Sequence, residues 1–162
     1  MTTSDVRAQP QAPARKPRPA GRKRISLAPG AAFDPLGDGD EHADLVPLAV
    51  DGDPSTAWSS ENYQALTKAG VGFYVDSERP VSPTRLTVKT PTPGFSLEVY
   101  GAKAAKAPRS LHGWTKLGAI ARTTRKTSLA LAGNRSRHLL LWITSLPPGG
   151  GAVKISEVRL RA

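Results

Sequence analysis

Apolar and polar residues alternate with a period of two through most of the chain. Leu86 and Val88 are separated by Arg85, Thr87 and Lys89, and Phe95, Leu97 and Val99 by Ser96 and Glu98. That pattern is the mark of a strand with one face in a core and one in water. Further short β-type runs are "GVGFYVD" (70–76), "TRLTVKT" (84–90), "WTKLGAIA" (114–121), "KTSLALA" (126–132) and "VKISEVRL" (153–160). "HLLLWIT" (138–144) is apolar throughout, as a central strand covered on both faces would be. The turn clusters "SERPVSP", "TPTPG", "AGNRS" and "LPPGGG" separate the runs. No window has the 3.6-residue period of a long amphipathic helix. "HADLVPLAV" has room for a short helical turn, limited by Pro47. Seven or eight short strands with loops of uneven length predict an all-β, jelly-roll β-sandwich.

Composition divides the chain in two. Residues 1–27 hold seven Lys or Arg against Asp5 alone, are rich in proline and lack apolar periodicity. Such a segment cannot bury enough surface to offset its ordering entropy. The expected organisation is a disordered basic tail over residues 1–30 and a single sandwich domain over 31–162. Residues 7–24 read either as a plain linker or as a contact for anionic membrane or another polyanion. No charged-then-apolar leader opens the chain, and no run approaches the roughly 20 apolar residues of a membrane span.

The overall charge of +10 is also unevenly placed. Residues 34–53 carry seven carboxylates and no Lys or Arg, whereas residues 103–137 carry nine Lys or Arg and no carboxylate. The acidic group calls for positive charge nearby, from a bound cation or from the basic segment. Within it lies "AVDGDPSTAW" (49–58). Gly52 permits a positive φ, Pro54 fixes the following turn, and Asp51, Asp53, Ser55 and Thr56 supply closely spaced oxygens. Hard cations such as calcium take six to eight oxygens in turns of this kind. A metal-free turn, its carboxylates accepting backbone amides, satisfies the same residues. Trp58 would pin either version to the core.

The catalytic inventory is thin. Cysteine is absent, and His42, His112 and His138 are isolated in sequence. No H-x-x-x-H, G-x-S-x-G or phosphate-loop pattern occurs, and "PPGGG" leads into a strand rather than a helix. The chain reads as a non-enzyme. Trp114 and Trp142 read as core. The longest loop, "SSENYQALTKAG" (59–70), sets Tyr63 between Asn62 and Gln64, a ring beside amides, so Asn62 and Tyr63 are the candidate ligand-binding residues. The basic segment 103–137 holds one aromatic residue, Trp114, where a nucleic-acid surface would interleave several, so nucleic acid is not the expected partner.

Three motifs resemble those of the discoidin family, also called the coagulation factor type C or galactose-binding-like domain. They are Ala49-Val50-Asp51-Gly52-Asp53 with Thr56 and Trp58; Trp114 with Leu117 and Gly118; and Ile155, Glu157, Val158 and Leu160. "FDPLGDGDEH" and "LLLWITSLPP" look more narrowly like the extracytoplasmic discoidin-like domains of actinobacterial membrane proteins, lipid II flippase-like and serine/threonine kinase-attached. The resemblance implies a galactose-binding-like sandwich and an extracytoplasmic or membrane-associated setting. It also implies a structural calcium held by Asp51, Asp53, Thr56 and Glu157. The expected function is a non-catalytic module binding a carbohydrate or cell-envelope component. A structural domain contacting an envelope protein, or polyanion binding through the tail, is the alternative.

Overall fold

The computed structural model describes residues 23–38 and 41–162. The basic tail before Lys23 lies outside the described residues. Strands β1 (Arg24–Ile25) and β2 (Ala28–Phe33) come first, then a 3₁₀ segment (Ala43–Ala49) and β3 (Trp58–Ser59). Next are β4 (Val71–Val81), β5 (Arg85–Lys89) and β6 (Ser96–Ala102), a 3₁₀ turn (Leu111–Gly113), β7 (Thr115–Ile120) and β8 (Lys126–Ala130). The long β9 (Ser136–Ser145), β10 (Lys154–Ile155) and β11 (Glu157–Arg161) complete the chain. Among the described residues, no helix is long and apolar enough to cross a membrane.

The strands form a five-stranded sheet, β2-β4-β9-β6-β7, and a four-stranded sheet, β1-β11-β5-β8, with a small β10-β3 pair beside them. The paired strands run antiparallel. The period-2 pattern sorts side chains as the sequence predicts. Phe73, Val75, Leu97, Val99, Leu139 and Leu141 meet Leu86, Val88, Val158 and Leu160 in the main core between the sheets. Trp58 is fully buried in that core, 4.6 Å from the Phe73 ring between centroids.

A second apolar cluster lies on the outer face of the five-stranded sheet. Phe33, Ala102, Trp114, Leu140 and Trp142 form it, with Tyr74, Tyr100, Ala107 and Leu111 packed against it. The segment between β6 and β7 supplies its cover, and β9 is therefore apolar on both faces.

Strand pairing begins at Arg24, inside the segment expected to be tail. Arg24 and Ile25 pair with Arg161 and Leu160, and β2 pairs with β4. A two-residue strand is too short to show a period. Pro29-Gly30 reads as a turn in sequence, yet Pro29 sits on an edge strand, where a missing N–H costs no interior ladder bond. Gly30 is needed because Tyr74 lies over it: a Cβ there would stand 2.3 Å from the Tyr74 ring.

Candidate functional site

A concavity opens on the outer face of the five-stranded sheet. It holds about 710 Å³, within the range of small-ligand pockets, and is bounded by β2, β4, the start of β9 and residues 105–109. Alternation along β4 puts Phe73 and Val75 into the main core and turns Tyr74 and Asp76 outward. His138 opens β9 directly opposite Asp76. Phe33, at the end of β2, and Asp34, just beyond it, complete the inner wall, while Lys106 and Arg109 stand on the far rim.

The aromatic rings brace one another. Tyr74 meets His138 edge-on at 5.7 Å and Trp114 at 5.8 Å; Phe33 meets Trp114 at 5.8 Å and Trp142 at 5.6 Å, both edge-on. Such contacts fix the rings without filling the space in front of them. Asp76 is held by Arg137, whose Nε and Nη2 donate to the two carboxylate oxygens at 2.9 and 3.1 Å. The Glu78 backbone N–H also donates to Asp76, at 2.6 Å. These bonds, led by Arg137, keep the Asp76 carboxyl below its ordinary range. Just beyond it the β4–β9 pairing is interrupted, and Glu78 takes a left-handed φ of 66°.

His138 Nε2 stands 3.6 Å from Asp76, yet burial dominates and pushes the imidazole pKa down, so the ring is held neutral. Its Nδ1 is buried and makes no hydrogen bond of good geometry, and the Ala104 backbone interacts with the ring and favours its protonated form. Asp34 is nearly fully buried and accepts a 2.7 Å hydrogen bond from Lys68 Nζ. Its second oxygen, Oδ2, has no partner. Burial works against the charge on Lys68, but bonds to Asp34 and Tyr63 outweigh it and hold the ammonium protonated.

The turn at 51–56 folds on itself. Asp51 accepts from the Asp53 N–H at 2.9 Å and from the Thr56 hydroxyl at 2.5 Å. Asp53 accepts from the Ser55 N–H at 2.9 Å and the Ser55 hydroxyl at 2.6 Å, which holds its carboxyl below the ordinary value. Gly52 takes the expected positive φ, 77°. The turn borders a smaller concavity of about 550 Å³ lined by His42, Pro54, Ser55, Lys154 and Ser156 among others.

Glu157 does not join this turn. It is buried on β11 beside Arg24, Ser26, Leu27 and Arg159, with Arg159 Nε 3.6 Å from its Oε1. Among the described residues no three of His, Cys, Asp and Glu stand together as metal ligands. Asp51, Asp53, Thr56 and Glu157 therefore do not fit one calcium ion in this arrangement. The hydrogen-bonded turn accounts for the first three residues, and packing under β1 for the fourth.

Asn62 and Tyr63 line neither concavity. Asn62 is exposed. Tyr63 is half-buried against the main core, bridges to Gly151 through backbone hydrogen bonds of 3.2 and 2.7 Å, and donates its hydroxyl to the Glu41 carboxylate at 2.9 Å. Glu41 is fully buried, and burial raises its pKa despite bonds from the Glu61 N–H and Tyr63. Its carbonyl accepts the Trp58 indole N–H at 2.9 Å. Tyr63, its own pKa pushed up to about 12 chiefly by burial, is thus part of a brace that seats the loop. Among the described residues, Glu41 and Asp34 of the acidic segment are stabilised in this way and by Lys68.

The cavity residues Phe33, Tyr74, Asp76 and His138 escaped sequence reasoning. The signal for two of them was available: in "GVGFYVD", an inward Phe73 and Val75 require an outward Tyr74 and Asp76.

No family model matches the chain, and no curated protein matches it. Solved structures do. Chitosan-binding module 1 from a chitosanase/glucanase of Paenibacillus sp. IK-5 superimposes with a TM-score of 0.66 at 14% identity, over 87% of this chain and 99% of that one. Chitosan-binding module 2 of the same enzyme, in complex with chitotriose, gives 0.60 at 14%, over 84% and 95%. The module CBM32-3 of a family 31 glycoside hydrolase from Clostridium perfringens gives 0.61 at 14%, over 83% and 90%. The chain has the galactose-binding-like β-sandwich fold of these carbohydrate-binding modules.

Proposed function

We propose that the protein is a non-catalytic carbohydrate-binding module whose ligand occupies the cavity between β2, β4, β9 and residues 105–109. The observation that carries this reading is the make-up of that cavity. Ordered aromatic rings, Tyr74 and Phe33, stand beside fixed polar groups, Asp34, Asp76 and neutral His138, with Lys106 and Arg109 opposite. A sugar ring offers apolar C–H faces to an aromatic and hydroxyls to carboxylates and imidazole; few other small ligands use both along one surface. The second oxygen of Asp34 is buried and unpartnered, so a polar group of a ligand has a hydrogen bond to complete if it reaches it. The fold shared with chitosan-binding and other carbohydrate-binding modules supports the same reading, and the likeness to actinobacterial extracytoplasmic domains supports an envelope glycan as the natural ligand.

Titration calorimetry with chitotriose, N-acetylated chitooligosaccharides and cell-wall fragments tests this. At least one should bind, and Tyr74→Leu with Arg109→Ala should weaken it by about 1–2 kcal/mol, the loss of an aromatic anchor with its rim contact. Asn62→Ala should leave affinity unchanged. A ligand that loses affinity in Asn62→Ala but not in the cavity variant moves the site to the 59–70 loop.

A further inference from the structure

The two sides of the cavity on the five-stranded sheet differ in charge. Its inner wall carries two carboxylates, and each is matched by a cation that does not itself line the cavity. Arg137 donates to both oxygens of Asp76, and Lys68 donates to Asp34 at 2.7 Å. His138, held neutral by burial, adds no charge to this wall.

The opposite rim is basic. The chain from Lys103 to Arg137 contains no Asp or Glu, so residues 105–109 have no acidic neighbour in sequence. Ala107 and Pro108 anchor the segment: Ala107 packs against the ring cluster, and the Pro108 carbonyl accepts the Trp114 indole N–H at 3.3 Å. Lys106 and Arg109 flank this anchor, are exposed and line the cavity. Among the described residues neither makes an ion pair. A compensated wall therefore faces an uncompensated rim. At the wall, Asp34 is 3% exposed and its Oδ2 has no partner. A buried acceptor left open is unfavourable, and the O–H of a ligand satisfies it. At the rim, a protonated amine would meet like charge, whereas an oxyanion would meet opposite charge.

Resting on the carbohydrate reading of this cavity, we propose that its ligand is a glycan of acidic sugars. The sugar ring lies on Tyr74, a ring hydroxyl donates to Asp34, and the acidic substituent is met by Lys106 and Arg109. The guanidinium fork of Arg109 engages two oxygens of a carboxylate or sulfate at once, and Lys106 adds a point charge. A chain of glucosamine units, which carries amines, fits this rim poorly, although the fold is that of chitosan-binding modules.

Titration calorimetry on the full chain tests this with matched probes. A galacturonate trisaccharide is compared with its carboxyl-reduced form, a sulfated galactose trisaccharide with its desulfated form, and all of them with the cationic chitotriose. At least one acidic probe should bind about fivefold or more tighter than its neutral counterpart, and chitotriose should bind weakest. The preference should shrink as salt rises. In Lys106→Gln with Arg109→Gln it should fall to near unity at an unchanged melting temperature. Arg122→Gln with Lys126→Gln, an equal charge change away from the cavity, should keep it. Loss of the preference in that control reduces the effect to net charge and overturns the proposal. A preference that survives the cavity variant puts the acidic site elsewhere on the domain and overturns it too. If chitotriose or a neutral probe binds as tightly as the acidic ones, the proposal falls while the carbohydrate reading stands. If none of these probes and no cell-wall fragment binds, both fall.

Discussion

The two sheets treat their outer faces in opposite ways. On the five-stranded sheet charges are matched: Asp76 with Arg137, and Glu98 with Lys116 at 3.0 Å, around a cluster of rings packed edge to face. On the four-stranded sheet Arg161 lies between Arg24 and Arg85, and Lys89 between Lys126 and the buried Glu157. The first face is built as a second core with a recess left in it, so its side chains are fixed in place by one another. The second is built as an open field, where attraction acts at longer range and weakens with salt. One fold thus presents a shaped surface and a charged surface back to back.

The sharpest way to break this contrast is to remove packing from each face in turn. Trp142→Ala, on the five-stranded face, should cost about 3–5 kcal/mol of stability in denaturant unfolding, because it opens a cavity under Phe33. Thr87→Ala, on the other face, should stay within about 0.5 kcal/mol. Comparable losses at both positions would mean that the charged face is also structural.

Acid separates the faces more gently. The folded state holds His138 neutral, with a pKa below the ordinary 6.5, while the unfolded chain takes up a proton near that value. The unfolded state then binds more protons, so stability falls as pH drops below 6.5 and is fully present above it. Asp76 acts in the same direction at lower pH: its depressed folded pKa contributes stability above the ordinary 3.8 that is lost as pH falls through the folded value. His138→Gln should flatten the first part of the melting-temperature profile and leave the second. A profile unchanged by that variant would show His138 to be solvated.

The smallest effect belongs to the 51–56 turn. Its oxygens are occupied by its own N–H and hydroxyl groups, so a chelator should leave the melting temperature where it was. A fall that recovers on adding calcium would restore the cation, since free calcium at 100 times its dissociation constant adds roughly 2.7 kcal/mol.

Much of the architecture was legible in the sequence because the sheets obey a local rule. Period-2 alternation marked β5, β6 and β11, and the unbroken apolar run marked β9 as covered on both sides. The buried state of Trp58, Trp114 and Trp142 followed from the same reasoning. Two short strands near the N-terminus were not legible, since Arg24–Ile25 and Ala28–Phe33 gain their order from partners far along the chain. The site was the least legible part. Tyr63, which the sequence offers as a ligand platform, donates its hydroxyl to Glu41, a contact that no local pattern announces. Glu157 is buried on β11 opposite Lys89, a pairing that strand order decides.

By itself the sequence determined the sandwich, its core-facing residues, its lack of the usual catalytic motifs and the separation of its charges into segments, all properties of residues near one another along the chain. Only the tertiary structure decided which charges meet. Strand order is a long-range choice, and it placed Asp76 beside Arg137 while leaving Arg24, Arg161 and Arg85 in one row. It also drew Phe33, Tyr74 and His138 from three separate strands around one cavity. No local pattern encodes that convergence, because each of these side chains only occupies the outward position that its own strand allows.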